Sequence, residues 1–369
     1  FFFYPTLQMY LIFALYGAYY LFGSLFGAFS SASEFGMQYF IDPTNLYLIA
    51  RTFTALMGVA TVWLTGAFAA KYYSRNAGLA AALFLAFAFV HAKVCHYAML
   101  DPAMTFWIML ALYLAPGPGS RGGRNYILAG MAAGAAIATK YTAVIVLPSL
   151  LLAHILLVSE KKKEGAAAGY VDSGLVKMLI AVPVTFLVCA PFTLLDFQAF
   201  KQDVLIQREL LQGGWLGMET VGSAWWAIFG KYLREGIGIP LLLVSLLGLA
   251  YAIYRRRGAD LVLLLFALVY YLSHGPSEMV FERHVVVIVP VLCIFAGRLL
   301  DELAGAANLS GRTRKSAVGV AAVIIFAIPA YNTLAFDETV SFEDTRTTAR
   351  EWIEEHIPPG SYIATELNG

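Results

Sequence analysis

Charge is the scarcest ingredient of this chain of 369 residues: only 13% of positions are Asp, Glu, Lys or Arg, against 60% hydrophobic. A soluble globular domain is nearer a quarter charged and half apolar, so an ordinary water-soluble fold is excluded. Cysteine is almost missing. The three present (Cys95, Cys189 and Cys293) lie far apart in apolar surroundings, which gives neither a disulfide framework nor a zinc-binding spacing. Charge of one sign is lacking too: 25 basic against 24 acidic residues leave a net +1, so no nucleic-acid partner is implied. Strictly alternating apolar and polar stretches do not occur, which removes a membrane β-barrel.

What is present in abundance is the continuous apolar run, as in Leu46–Ala70, Tyr141–Val158 and Arg283–Leu300. A helix needs roughly 20 such residues to cross a hydrocarbon core, so the chain reads as an all-α polytopic membrane protein. Basic residues gather in short loops: Lys71 and Arg75; Arg121 and Arg124; Lys161–Lys163; Arg255–Arg257; Arg312, Arg314 and Lys315. Such loops stay cytoplasmic. Helices threaded between them fall at 46–69, 77–91, 98–116, 125–139, 141–158, 176–194, 238–254, 260–273, 284–300 and 316–335, about ten spans with every basic loop on one side. Gly130 and Gly134 form a small-residue face suited to close helix contact.

Around this transmembrane domain (46–335) the remaining segments read as extracytoplasmic. Residues 1–45 form either one span over Leu7–Phe29 or, as the topology favours, a juxtamembrane helix pair broken near Gly23–Gly27. The loop 196–236 carries Phe197, Phe200, Val204 and Leu211 at helical spacing with charges between, an interfacial amphipathic helix, and Trp215, Trp225 and Trp226 suit an aromatic belt. From 336 to 369 a polar tail holds one amphipathic helix (Ala349, Trp352, Ile353, His356), the breaker Pro358-Pro359-Gly360 and a strand at Tyr362–Ala364. It reads as the start of an extracytoplasmic α/β domain. The chain opens without Met and stops after that strand, so further sequence is expected on both sides.

Among residues able to do chemistry, Asp101 stands first. It lies in His96-Tyr97-Ala98-Met99-Leu100-Asp101-Pro102, where an apolar helix begins at the outer membrane surface. An ionisable residue there is expensive and usually has a reason. The bland account is a helix cap, Asp as N-cap with Pro at the first turn. The functional one is a carboxylate that orients a hydroxyl or takes its proton, with Tyr97 on the same face if the helix starts early. Cations at outer helix ends (Arg51, Lys93 and His96, Lys140, Arg283 and His284) are either snorkelling anchors or ligands for a phosphate. His274, Glu278, Glu282 and His284 offer metal-ligand chemistry, but Gly275-Pro276 breaks their register and an outer polar cluster is the simpler account. A divalent metal has no further support, and no cofactor is called for. Gly117–Gly122 mimics a dinucleotide loop without a preceding strand. Asn308-Leu309-Ser310 mimics a glycosylation site in a cytoplasmic loop.

These elements together resemble the polyprenol-phosphate-dependent glycosyltransferases of GT-C architecture, the protein O-mannosyltransferase and aminoarabinose transferase type. The resemblance rests on Tyr4-Pro5-Thr6-Leu7, Tyr47-Leu48-Ile49-Ala50-Arg51, His96-Tyr97 followed by Asp101, Thr139-Lys140-Tyr141-Thr142, Arg283-His284 with Pro290, and Trp352-Ile353 leading to Pro358-Pro359-Gly360. It implies a plasma-membrane enzyme that moves a sugar from a polyprenyl-phosphate carrier to a hydroxyl of a lipid, protein or glycan on the extracytoplasmic side. It implies that Asp101 is the family's second outer acid, and that the principal acid, part of an Asp-Glu pair, precedes Phe1. Arg51, His96, Tyr97, Lys140, Tyr141, Arg283 and His284 become the candidates for the lipid phosphate and substrate. A non-catalytic subunit of the same fold and a secondary transporter are the competing classes. No internal repeat and no mid-span ionisable residue speak for transport.

Overall fold

A computed structural model describes residues 2–117, 123–213, 223–277, 280–307 and 311–364, with Leu211–Gly213 described by their backbone alone. Among them there are helices and turns and no strand. Helices α1 (Leu7–Leu25) and α2 (Ala32–Ile41) open the chain, followed by α3 (Thr44–Tyr72), α4 (Arg75–Ala86), α5 (Phe89–Cys95), α6 (Leu100–Leu114) and α7 (Gly123–Thr139). A 3-10 turn over Tyr141–Val146 leads into α8 (Leu147–Lys163), then α9 (Ser173–Cys189), α10 (Phe192–Leu195) and α11 (Phe197–Gly213). After α12 (Ala224–Ala227), a π-helical turn over Ile228–Leu233 and α13 (Arg234–Ile237) come α14 (Ile239–Arg255) and α15 (Gly258–His274). A second 3-10 turn, Glu282–Val287, starts α16 (Val289–Ala306), and α17 (Gly311–Ser341) and α18 (Thr345–His356) complete the chain.

All ten segments expected to span are helical, and the membrane location follows from their apolar character. Length separates them. Among the described residues only α3, the run Tyr141–Lys163 and the run beginning at Gly311 are long and apolar enough to cross a bilayer alone. A fourth is the pair α4–α5, bent by 58° at Phe87–Ala88. Helices α6, α9, α14 and α15 are apolar but shorter, at 15 to 17 residues. By helix length alone the count is three or four, against about ten from the charge pattern. The shortening has local causes in two runs: Pro191 ends α9 and starts α10, and the run into α16 spends its first six residues in a 3-10 turn.

Helix α16 is the axis of the core. Its residues from Val289 through Leu299 are all buried, and α4, α14, α3 and α17 surround it. Glycine lets the neighbours close in. A Cβ on Gly248 of α14 would sit 2.3 Å from the Phe295 carbonyl oxygen, and one on Gly297 would sit 2.6 Å from that of Ala77. The expected small-residue face on α7 does the same against α9: Gly130 faces the Met178 carbonyl and Gly134 the Val182 carbonyl, with room for hydrogen only. Around this core Leu56, Val59 and Trp63 of α3 remain 60–67% exposed, as lipid-facing side chains should.

The opening segment is two helices broken at Gly27, which takes a φ of 76° that L side chains rarely adopt. The amphipathic α11 forms as the spacing predicts. Phe200 packs on Phe2 and Tyr141, while the side chain of Leu211 and all of Trp215 lie outside the described residues. Trp225 packs on Tyr271, whereas Trp226 is 80% exposed. In the tail, α18 is capped by Asp344, whose carboxyl hydrogen bonds from the Arg346 side chain and backbone hold down at about 2. The strand expected at Tyr362–Ala364 is not formed; those residues run without regular structure, and among the described residues there is no partner strand.

At the end of the bundle carrying the basic loops, a charged network ties the elements. Arg298, buried in α16, pairs with Asp260 at the start of α15 and lies over the rings of Tyr73 and Tyr251. Asp301 accepts from Ser74 and Asn76, ahead of and within α4, and from Arg314 of α17. Asp101 and its neighbours lie at the other end.

Candidate functional site

Helix α6 starts at Leu100, and its N-cap is Met99 in an extended conformation. Asp101 is therefore inside the first turn, not at the cap, and its carboxylate is spared for another partner. This corrects the capping account, which put Asp101 at the N-cap, two positions ahead of where it sits. It also removes the shared face with Tyr97, since His96–Ala98 form a turn ahead of the helix. Lys140 supplies the partner. It sits in extended backbone between α7 and the 3-10 turn that follows, and its Nζ lies 2.8 Å from Asp101 Oδ1. The two side chains are 12% and 4% exposed. Such a pair gives up hydration for a single contact and is often no more stable than an apolar pair of the same volume.

Two further elements converge here. Helix α15 brings Tyr270 and His274, one turn apart, with their rings stacked at 4.4 Å. The 3-10 turn before α16 brings Arg283 and His284. Tyr270 donates to the His284 carbonyl oxygen at 3.3 Å, and the His274 and His284 rings are 6.1 Å apart. Asp101 and Lys140 lie within electrostatic reach of His274, and Lys140 also of His284. Tyr232 donates to the Val280 carbonyl oxygen at 2.7 Å, which fixes the approach to this turn. Arg283 rests over the Phe281 ring, 4.3 Å from its centroid, and among the described residues it pairs with no carboxylate. Lys93, by contrast, is engaged: its Nζ is 2.7 Å from Glu282.

The other candidates surround or leave this cluster. Tyr141, next to Lys140 in the chain, packs on Phe186 and Phe200, and its buried hydroxyl has no hydrogen-bond partner among the described residues. His96 pairs with Asp337 of α17 at 3.2 Å, and Tyr97 faces Phe336 of the same helix. Arg51 does not open its helix but lies two turns inside α3, exposed, with the Tyr47 ring at 6.0 Å. The structure thus groups Asp101, Lys140, Arg283 and His284, borders them with Tyr141, and leaves Arg51 apart. Of the polar set considered for a metal, Glu282 turns to Lys93 and Glu278 lies outside the described residues. Among the described residues no three His, Cys, Asp or Glu side chains gather at one point. Positions 118–122 and 308–310, which hold most of the dinucleotide-like and the whole glycosylation-like motif, also lie outside them.

Two contributors escaped the sequence reading. Tyr270 carries no charge and sits in an apolar helix; the only hint was its spacing of four from His274. Gln8, buried in α1, donates from Nε2 to the Met99 carbonyl oxygen at 3.0 Å and so braces the start of α6 beside Asp101. Nothing in the sequence pairs those positions.

A cavity of about 550 Å³ adjoins the cluster. It follows α15 from Leu261 to Tyr271, roughly 15 Å at the helical rise, and Tyr270 belongs both to its wall and to the polar cluster. Leu152, Leu249, Ile253, Leu268 and Ile288 make it apolar, and Ile253 and Leu268, each about half exposed, open it sideways. The arrangement can hold an elongated apolar chain with an anionic head at the cations and a buried carboxylate beside that head.

Comparison with known proteins bears on the family and the fold. Residues 45–186 match the sequence profile of the family described as dolichyl-phosphate-mannose-protein mannosyltransferase. The fold is similar to that of ArnT from Cupriavidus metallidurans, solved bound to undecaprenyl phosphate, at 16% identity and a TM-score of 0.58 over 89% of this chain and 67% of that one. It is similar also to the oligosaccharyltransferase AglB from Archaeoglobus fulgidus, solved with an inhibitory peptide and a dolichol-phosphate, at 14% identity and a TM-score of 0.55 over 97% of this chain and 50% of that one. The chain thus spans about two thirds of the first and half of the second. No curated protein matches it by sequence. The resemblance to the GT-C glycosyltransferases holds in sequence over residues 45–186 and in fold over most of the chain.

Proposed function

We propose that this chain is the membrane part of a glycosyltransferase that moves a sugar from a polyprenyl-phosphate carrier to a hydroxyl acceptor on the extracytoplasmic face. The observation that carries the proposal is the buried Asp101–Lys140 pair near the head of an apolar groove, with Arg283, in no ion pair among the described residues, on the turn that carries His284. The groove takes the prenyl tail. Lys140 and Arg283 meet the phosphate, whose charge grows as the bond from the anomeric carbon to the phosphate oxygen breaks. Arg283 suits this role because its guanidinium can bind two oxygens at once and, among the described residues, no carboxylate pairs with it. As the phosphate draws on Lys140, Asp101 is released to orient the acceptor hydroxyl or accept its proton. His284 and Tyr270 line the approach, and Tyr141 offers a free hydroxyl to the sugar. Asp101 is proposed to act with a second acid, as the family resemblance implies, rather than alone.

The test uses the full-length protein in nanodiscs with radiolabelled polyprenyl-phosphate sugars. Turnover is expected from wild type, with a loss of about 10²-fold or more in Asp101→Asn. Unchanged turnover in a folded Asp101→Asn would reduce Asp101 to a structural partner of Lys140. No turnover with any donor, from protein shown to be folded, would sink the transferase reading itself.

A further inference from the structure

Between α4 and α17, at the end of the bundle opposite the candidate site, lies a second groove of about 300 Å³. We propose that it binds one anionic phospholipid, with Arg75 and Lys315 holding the phosphate and Leu79, Leu83 and Val318 receiving a fatty chain.

The residues are ordered along the two helices as an amphiphile requires. On α4, Arg75 is the first residue, and Leu79 and Leu83 follow at four-residue intervals on the same face. On α17, Lys315 lies in the second turn, with Val318, Gly319 and Ala322 behind it. Both helices start at the same end of the bundle, so both cations sit at the mouth and both apolar faces run inward from it. The floor is dry: Ala80, Val318 and Ala322 are buried, while Leu79 is 63% exposed on the lip.

The cations are uncommitted. Arg75 and Lys315 enter no ion pair among the described residues, whereas their neighbours are engaged: Arg314 with Asp301, Arg257 with Glu302. No acidic side chain lines the groove among the described residues. Basic pockets between membrane helices are a recognised seat for anionic headgroups, and an arginine fork matches a phosphate. Two surface cations snorkelling to headgroups would need no groove beneath them. Gly319 supplies the distinction: a Cβ built on it meets nothing within 4 Å, so the groove is kept open by a missing side chain.

The test is native mass spectrometry of the purified full-length protein, incubated separately with dioleoyl phosphatidylglycerol and dioleoyl phosphatidylcholine at equal concentration. Wild type is expected to retain one phosphatidylglycerol and little phosphatidylcholine. The double variant Arg75→Gln/Lys315→Gln should lose that lipid by roughly tenfold or more. Gly319→Phe, which fills the groove and keeps both charges, should lose it too, and the charge-preserving Arg75→Lys/Lys315→Arg should keep most of it. Equal retention of the two lipids by wild type would overturn the proposal, as would undiminished retention in Gly319→Phe. So would release of the lipid by an equal concentration of glycerol phosphate, since that outcome describes a site for free phosphate. Loss in all three variants, the charge-preserving one included and shown to be folded, would also overturn the proposal, since two cations at the mouth would then not suffice to hold the lipid.

Discussion

At the scale of single residues, the central fact is that Asp101 and Lys140 neutralise each other where water is scarce. Removing one partner strands the other. Lys140→Met should therefore destabilise the protein by about 3–5 kcal/mol, the usual result of breaking a buried pair, and Asp101→Asn by less, because the stranded Lys140 is the more exposed partner and can turn its flexible ammonium toward water. The double variant Asp101→Asn/Lys140→Met should recover much of the loss of Lys140→Met, giving a coupling energy on the order of 1–3 kcal/mol between sites that touch. Thermal unfolding of the four forms in detergent measures this directly; additive losses would show that the two side chains are independent. Transfer activity should not recover with stability, which separates the pair's part in the reaction from its part in the fold. The sequence marked both residues, since an acid and a base at the ends of apolar helices are conspicuous. It could not pair them: they are 39 positions apart, and only the packing of α6 against α7 brings them together. Arg51 shows the converse. It looked like the same kind of helix-end cation, but α3 begins at Thr44, and the extra turns carry Arg51 to the exposed face. Where a helix starts decides which way such a residue points, and starting positions are the least legible feature of a sequence.

At the scale of elements, apolar periodicity and small residues were read well because they state local facts. The Gly130–Gly134 face demanded a close neighbour, and α9 is that neighbour. An added Cβ at Gly134 would come within 2.5 Å of the Val182 carbonyl oxygen, a backbone atom that cannot swing aside. Gly134→Val should accordingly push α7 and α9 apart and lower stability by about 1–3 kcal/mol. Gly17→Ala on α1, where nothing lies within 4 Å, should leave the melting temperature unchanged or slightly raised, since alanine favours a helix. Equal effects of the two substitutions would mean that α7–α9 contact is not what these glycines serve. The 3-10 turns were not foreseen. Both precede a helix that has proline at its first or second position (Pro148 in α8, Pro290 in α16), and both hold residues of the candidate site. Tyr141, Arg283 and His284 are thus carried on backbone wound more tightly than an α-helix, which alters the direction of each side chain relative to α-helical spacing.

At the scale of the whole molecule, the reading joins two ends of one bundle. One end carries Asp101, Lys140, Arg283 and the head of the apolar groove; the other carries Lys161–Lys163, Arg255–Arg257 and the network of Arg298, Asp260 and Asp301. We propose, from chain order and the positive-inside rule, that the first end lies outside and the second in the cytoplasm. The assignment matters to the chemistry, because a donor on the outer leaflet can only be met there. It is testable without any substrate. The native thiols offer a quiet background: Cys95 and Cys293 are buried, and the half-buried Cys189 can be replaced by serine. Single cysteines would then be placed at Asn45 and Glu343, both exposed toward the candidate-site end, and at Lys162, exposed at the basic end. In intact cells a membrane-impermeant maleimide should label the first two and spare the third until the membrane is opened. Labelling of Lys162→Cys alone would turn the bundle over and put Asp101 in the cytoplasm, where the transfer proposed here has no donor. Labelling of Asn45→Cys and sparing of Glu343→Cys would instead mean that an odd number of crossings separates them, and the even count between α2 and the end of α17 would fall with it. The agreement expected of those two positions is what basic loops gathered at one end of the bundle predict, and it is the global property on which the local chemistry of Asp101 depends.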